Sequence, residues 1–171
     1  MPVTSPPAPI DLRLEDEAAT RARAARLAAV LRAGDTVLLE GPIGAGKSVF
    51  ARAVIHALQA AAGEPPEDVP SPTFTLVQSY MAGPLEIWHA DLYRLSHPDE
   101  VAELGLDEAF DRALCMVEWP DRLGDLAPQG ALRLTFSAGD GEDVRHARFS
   151  FASPELALRL RGAIAESTTD A

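Results

Sequence analysis

Eight consecutive residues, Gly41-Pro42-Ile43-Gly44-Ala45-Gly46-Lys47-Ser48, satisfy the pattern G-x-x-x-x-G-K-[ST], the spacing of a loop that wraps phosphates. The residue types say how. Gly44 and Gly46 permit backbone conformations that a side chain would obstruct, so successive amide N–H groups can turn inward on a nucleotide's phosphates, aided by the positive end of the following helix. Lys47 supplies a point charge for the β- and γ-phosphates, and the Ser48 hydroxyl is a ligand for Mg2+. The alternative is a glycine-rich turn with an accidental Lys-Ser. From average residue usage such an accident is on the order of one per cent in a chain of this size, and requiring a strand before and a helix after lowers it further.

A loop of this kind binds, whereas hydrolysis also needs a carboxylate to organise metal and water. Two apolar segments end on one: LEIWHAD at Asp91 and ALCMVE at Glu118. Ligands of open α/β sheets collect beyond the carboxyl ends of the strands, so both acids could face the glycine loop. His89 alternates with Asp91 on one strand face; it could orient that carboxylate, bind a phosphate, or be a hydrogen-bonded structural histidine. Thr73, in SPTFT, could reach a metal-bound γ-phosphate, or serve only the turn before a strand. Trp119, beside Glu118, could be plain core packing.

These residues need elements to hold them. EAATRARAARLAAVLR, residues 17–32, reads as a helix with Ala18, Ala25, Ala29 and Leu31 on one broad face, stopped by Gly34. TVLLE, 36–40, has the continuous apolar character of a strand buried on both faces and runs directly into the glycine loop. A helix follows from about Lys47 to Ala62. After the proline-rich loop GEPPEDVP, TFTLVQSY and LEIWHAD read as two strands joined by a short turn. HPDEVAELGLDEAF is a helical excursion broken at Gly105, ALCMVE another buried strand, and PDRLGDL a short helix with proline in its first turn. ALRLTFS and VRHARFSF flank the turn AGDGED as a hairpin, and SPELALRLRGAIA is a Ser-capped amphipathic helix. The expected fold is α/β and P-loop NTPase-like: a mostly parallel central sheet flanked by helices, with a C-terminal antiparallel hairpin at one edge.

The totals set bounds. A chain of 171 residues is one domain, expected over 10–166 with a flexible lead-in at 1–9 and a disordered tail at 167–171. Its net charge of −11 works against broad attraction to nucleic-acid phosphates or an anionic membrane, so service to RNA would run through another protein. Cys115 is the only cysteine and excludes an internal disulfide; a small buried core residue is the simplest reading. No stretch approaches the roughly 18 apolar residues of a membrane span and the start has no signal-like pattern, so the expected location is cytoplasmic.

Taken in order, GPIGAGKS, SPTFTLV, HADLYRL, DEVAELGLDEAF and VEWPDRL closely resemble the TsaE family, over about Ile10 to Phe151. The resemblance implies a cytoplasmic Mg2+-dependent ATPase that works with the TsaD and TsaB proteins while they place a threonylcarbamoyl group on adenosine 37 of tRNA. The tRNA would be met only through that complex. It implies that ATP is held by Gly41, Gly44, Ala45, Gly46, Lys47, Ser48 and Val49, with Ser48, Asp91 and Glu118 around the metal and Lys47, Asp91 and Glu118 in catalysis. Glu118 is assigned to the metal and its water, Asp91 to metal or water positioning. Thr73 matches a switch-like segment, Thr20 sits where relatives often have a threonine near the adenine, and Arg145 lies in a region that approaches the nucleotide. One departure stands out: many relatives carry Thr-Thr after the lysine, where this chain has Ser48 then Val49. Two other readings compete with the ATPase: a nucleotide-gated interaction module with little hydrolysis, and a small-molecule P-loop kinase, for which no compact arginine-bearing lid is evident.

Overall fold

A run such as TVLLE leaves no polar face, and both of its sides must be covered. In the computed structural model, which describes residues 5–165, helices flank the sheet on both faces. In chain order the elements are β1 (Ile10–Leu14), α1 (Glu17–Ala28), β2 (Thr36–Glu40), α2 (Lys47–Ala61), β3 (Val77–Ala82), β4 (Leu85–Asp91), α3 (Asp99–Glu103), α4 (Leu106–Arg112), β5 (Leu114–Glu118), a 3-10 segment at Pro120–Leu126, β6 (Leu132–Ala138), β7 (Arg145–Phe151) and α5 (Pro154–Ala165). Among the described residues the strands form one seven-stranded sheet in the order β1-β7-β6-β2-β5-β4-β3.

The central strands divide their side chains between two cores. Val37 and Leu39 of β2, with Leu114 and Met116 of β5, pack in the core that contains Leu27, Phe50, Val54 and Leu160 from α1, α2 and α5. Leu38, Cys115 and Val117 point the other way, toward Val101, Leu106 and Phe110 of α3 and α4. The period of two along a strand makes this split unavoidable. Asp35 closes the rim: Arg159 of α5 grips it with Nη1–Oδ2 at 2.9 Å and Nη2–Oδ1 at 2.5 Å, while Nη1 also donates to the Val30 carbonyl at 2.8 Å. Bidentate charge-assisted contacts of this kind fix orientation as well as adding energy.

Several expectations need correction. The sheet is mixed rather than mostly parallel: β6–β2, β2–β5 and β5–β4 pair parallel, whereas β1–β7, β7–β6 and β4–β3 pair antiparallel. The β6–β7 hairpin is not the edge, because β1 adds itself outside β7. No strand was expected at Ile10–Leu14; its charged residues hid it, yet Arg148 of β7 holds Asp11 through Nε at 2.7 Å and Nη2 at 3.0 Å. Helix α1 stops at Ala28 instead of Arg32, since Asp35 accepts the Arg32 N–H at 2.9 Å and draws the chain off the helical path. Its buried stripe is Thr20, Ala24, Leu27 and Ala28, not the expected face, of which Ala18, Ala25 and Ala29 are exposed. Strand β3 begins at Val77 rather than Thr73. Leu76 lies in the left-handed region (φ +68°) and its N–H closes a turn on the Pro72 carbonyl at 2.7 Å, which takes Thr73 to Thr75 out of the ladder.

Two local expectations hold. Gly105, φ +80°, separates α3 from α4, and Ser153 Oγ accepts the Leu156 N–H at 3.2 Å at the start of α5. Residues 1–4 of the lead-in and the tail at 167–171 lie outside the described residues; within the lead-in, the Ala8 carbonyl accepts from Arg161 Nη2 at 2.8 Å. No helix among the described residues is long and apolar enough to cross a membrane.

Cys115 is fully buried, and burial pushes its thiol up to about 12 from 9.0. The folded state therefore keeps this proton where the unfolded chain has lost it. Its contribution to stability is intact below pH 9 and falls as pH rises toward 12. Native protein at pH 8 is expected to resist thiol labelling by Ellman's reagent until denaturant unfolds it; prompt labelling without denaturant would contradict this burial.

Candidate functional site

The parity that splits the cores also builds the site. On β4 the residues facing α2 are Ile87, His89 and Asp91; on β5 they are Leu114, Met116 and Glu118. Parallel pairing sets Asp91 beside Glu118 and Glu118 beside Leu39. The apolar face thus turns polar at its carboxyl end, where β2 breaks into the glycine loop. Asp91 and Glu118 are 5% and 2% exposed, and Lys47 is 4% exposed.

The loop's shape depends on two glycines in particular. Gly41, φ +143°, passes so close to β6 that an added Cβ would lie 2.8 Å from the Phe136 carbonyl oxygen. Gly46, φ +112°, turns the chain into α2, whose Phe50 N–H returns to the Gly46 carbonyl at 3.0 Å. The first turn of α2 carries no acidic residue, so the positive helix end is not neutralised by its own side chains.

Lys47 folds back on the loop. Its Nζ donates to the Gly41 carbonyl and, at 3.0 Å, to that of Pro42, and it lies 4.1 Å from the centre of the Trp119 ring. Burial lowers its pKa from the usual lysine value, while the charges of Glu118 and Asp91 pull the other way. The Ser48 hydroxyl donates to Glu118, 2.9 Å from Oε1 and 3.1 Å from Oε2. Asp91 accepts from the Thr73 hydroxyl at 3.2 Å and from the Tyr93 N–H at 3.0 Å. The turn that removes Thr73 from β3 is what brings it to Asp91.

These groups line an open cavity of about 390 Å3, with Lys47, Ser48, Thr73, Asp91, Glu118 and Trp119 on its wall. Thr20 and Arg145 are not in it. They line a smaller cavity of about 110 Å3 that shares Gly44, Ala45, Gly46 and Val49 with the first. The glycine loop therefore borders both, and Arg145 Nη2 donates to the Gly44 carbonyl at 3.3 Å. His89 does not orient Asp91 on its own strand; its Nε2 is 2.6 Å from Glu118 Oε2 on the neighbouring one.

Sequence reading passed over two participants. Tyr93 lines the large cavity and packs on Trp119 with ring centres 4.9 Å apart; its place two residues past Asp91, on the carboxyl side of a strand end, was the available signal. Trp119 is more than core packing: it takes a left-handed backbone (φ +59°) directly after Glu118 and supplies the face under Lys47. A non-glycine residue held there is strained by roughly 1–3 kcal/mol, a cost that clusters at functional sites.

The donor set fits magnesium. Among the described residues no group of three or more His, Cys, Asp and Glu could hold a metal unaided. Mg2+ needs none, since it keeps several waters and takes one or two carboxylates together with phosphate oxygens. Two buried carboxylates beside a hydroxyl at the mouth of a phosphate-shaped loop supply that minimum.

A seven-stranded mixed sheet with this glycine loop at its centre defines an α/β protein, and comparison with known proteins narrows the class. The family model described as threonylcarbamoyl adenosine biosynthesis protein TsaE matches residues 14–147. The tRNA threonylcarbamoyladenosine biosynthesis protein TsaE of Rickettsia conorii is 39% identical over 127 residues, covering 74% of this chain and 70% of that protein. The protein of the same name from Bacillus subtilis is 36% identical over 132 residues, covering 77% and 78%. The crystal structure of YdiB from Bacillus subtilis superposes with a TM-score of 0.74 at 27% identity, covering 91% of this chain and 94% of that one. The chain belongs to the TsaE family, and its part lies in tRNA threonylcarbamoyladenosine biosynthesis.

Because the Gly41 contact is with backbone, Gly41→Ala is expected to destabilise the fold by about 1–3 kcal/mol, read as a lower urea midpoint; an unchanged midpoint would show that the loop can move off β6.

Proposed function

We propose that this protein is a cytoplasmic P-loop NTPase that binds MgATP on the glycine loop and hydrolyses it in support of threonylcarbamoylation of adenosine 37 of tRNA, acting on a TsaD–TsaB complex. The observation that carries the reading is the convergence of Lys47, Ser48, Asp91 and Glu118 on one cavity from three separate segments of the chain. A loop that only bound phosphate would not require two buried acids beside it.

In this reading the amides of Gly44 to Val49 hold the triphosphate, and Lys47 leaves the Gly41 and Pro42 carbonyls for the β- and γ-phosphates. Bound Mg2+ would neutralise charge developing on the phosphates. Ser48 and Glu118 hold that ion, Glu118 holding its water as well, and Asp91, steadied by Thr73, positions metal or water. Thr20 and Arg145 border the nucleoside, in keeping with the smaller cavity that they line together with Gly44, Ala45, Gly46 and Val49. Ile43, which lines the cavity, is 76% exposed, and Phe74, next in sequence to the lining Thr73, is 83% exposed; exposed apolar side chains there suit a protein partner, and the charge of −11 agrees with meeting tRNA only through that partner.

Lys47→Ala is expected to lose ATP binding by calorimetry. Glu118→Gln should keep binding while phosphate release falls at least about 100-fold, and TsaD with TsaB should accelerate release by the parent. Full multi-turnover tRNA modification by both variants would defeat the ATPase role. Val49 lines both cavities and cannot donate from its side chain, so Val49→Thr should tighten nucleotide binding several-fold, the worth of one hydrogen bond at about 1 kcal/mol. Equal affinity would show that this side chain makes no phosphate contact.

A further inference from the structure

Glu118 is the most demanding group in the site. It is 2% exposed, and a buried carboxylate whose lone pairs are not met destabilises the fold. Ser48 touches both of its oxygens, at 2.9 and 3.1 Å, and so does not choose between them. His89 does: its Nε2 lies 2.6 Å from Oε2. The imidazole is 1% exposed and opposite Met116 in the ladder, two residues below Glu118 on the same face.

The other ring nitrogen decides which atom carries the proton. His89 Nδ1 is buried with no protein partner. A proton there would be an orphaned buried donor, which folded proteins rarely tolerate, whereas an unmet acceptor lone pair is less costly. The ring proton therefore sits on Nε2 and is donated to Glu118. We propose that His89 is the positioning residue for Glu118: its Nε2–H ties down Oε2 and leaves Oε1, the oxygen nearer Ser48, as the one presented to a metal and its water. His89 does not line the cavity and acts on it only through the carboxylate. The inference rests on the MgATP reading given above.

Partners of this kind to metal-binding groups typically cost 10–100-fold in metal affinity or activity when removed. In His89→Leu, the Mg2+ concentration for half-maximal phosphate release should rise about 10–100-fold, with binding of metal-free ADP, measured by calorimetry, changed less than about threefold. His89→Gln, whose amide reaches the Nε2 position, should recover most of the loss. A leucine variant with the parent's Mg2+ requirement overturns the proposal, as does failure of glutamine to do better than leucine. If the parent releases no phosphate, the hydrolytic reading falls and the Mg2+ dependence of ADP binding decides the role of His89 by the same comparison. Should the leucine variant not fold, nitrogen-15 spectra of the ligand-free parent decide it, with the His89 ring assigned by its absence from His89→Gln. A proton on Nε2 is expected, and a bare Nε2 overturns the proposal.

Discussion

Everything at the site depends on the register of three parallel strands. Leu39, Glu118 and Asp91 are neighbours across β2, β5 and β4, and their side chains leave the sheet on the face that α2 covers. A slip of one residue in β5 would turn Glu118 toward the opposite core and bring Val117 to the loop. The apolar residues below, Leu114 and Met116 on one side and Cys115 and Val117 on the other, are what prevent that slip. The hydrophobic pattern of the strand interiors is thus the device that aims the acids.

Placing acids there creates an electrostatic problem, and the ligand-free arrangement contains its answer. Lys47, Asp91 and Glu118 are all nearly inaccessible to water. Each is met by short-range partners: backbone carbonyls and an indole face for the lysine, a threonine hydroxyl and an amide for Asp91, a serine hydroxyl and an imidazole for Glu118. Fixed dipoles aimed at buried charges carry more weight than they would in water.

Much of this was legible in the residues. The strand β2, the helix α2 and the loop between them follow from an apolar run, a glycine pattern and a Lys-Ser, all of them local. The strand ends at Asp91 and Glu118 were legible for the same reason. Relations between strands were not. Nothing in HAD or VEW says that His89 leans toward the acid of the next strand rather than its own. The strand IDLRL carries two charges among three apolar residues, and only the antiparallel partner β7, almost 140 residues away in sequence, makes it a strand. The expectation of a mostly parallel sheet failed because β1 and β3 are each recruited by a single antiparallel neighbour. Thr73 was read as strand because its sequence favours extension; the left-handed Leu76 overrules that preference and delivers the hydroxyl to Asp91.

The stacking of Lys47 on Trp119 has an optical corollary. An ammonium ion 4.1 Å from the centre of an indole sets a strong field across the ring, and the emission of tryptophan shifts with the field it experiences. Any anion that draws the lysine to itself removes that charge from the ring, so the chain carries an intrinsic dye whose colour reports whether its lysine is at home.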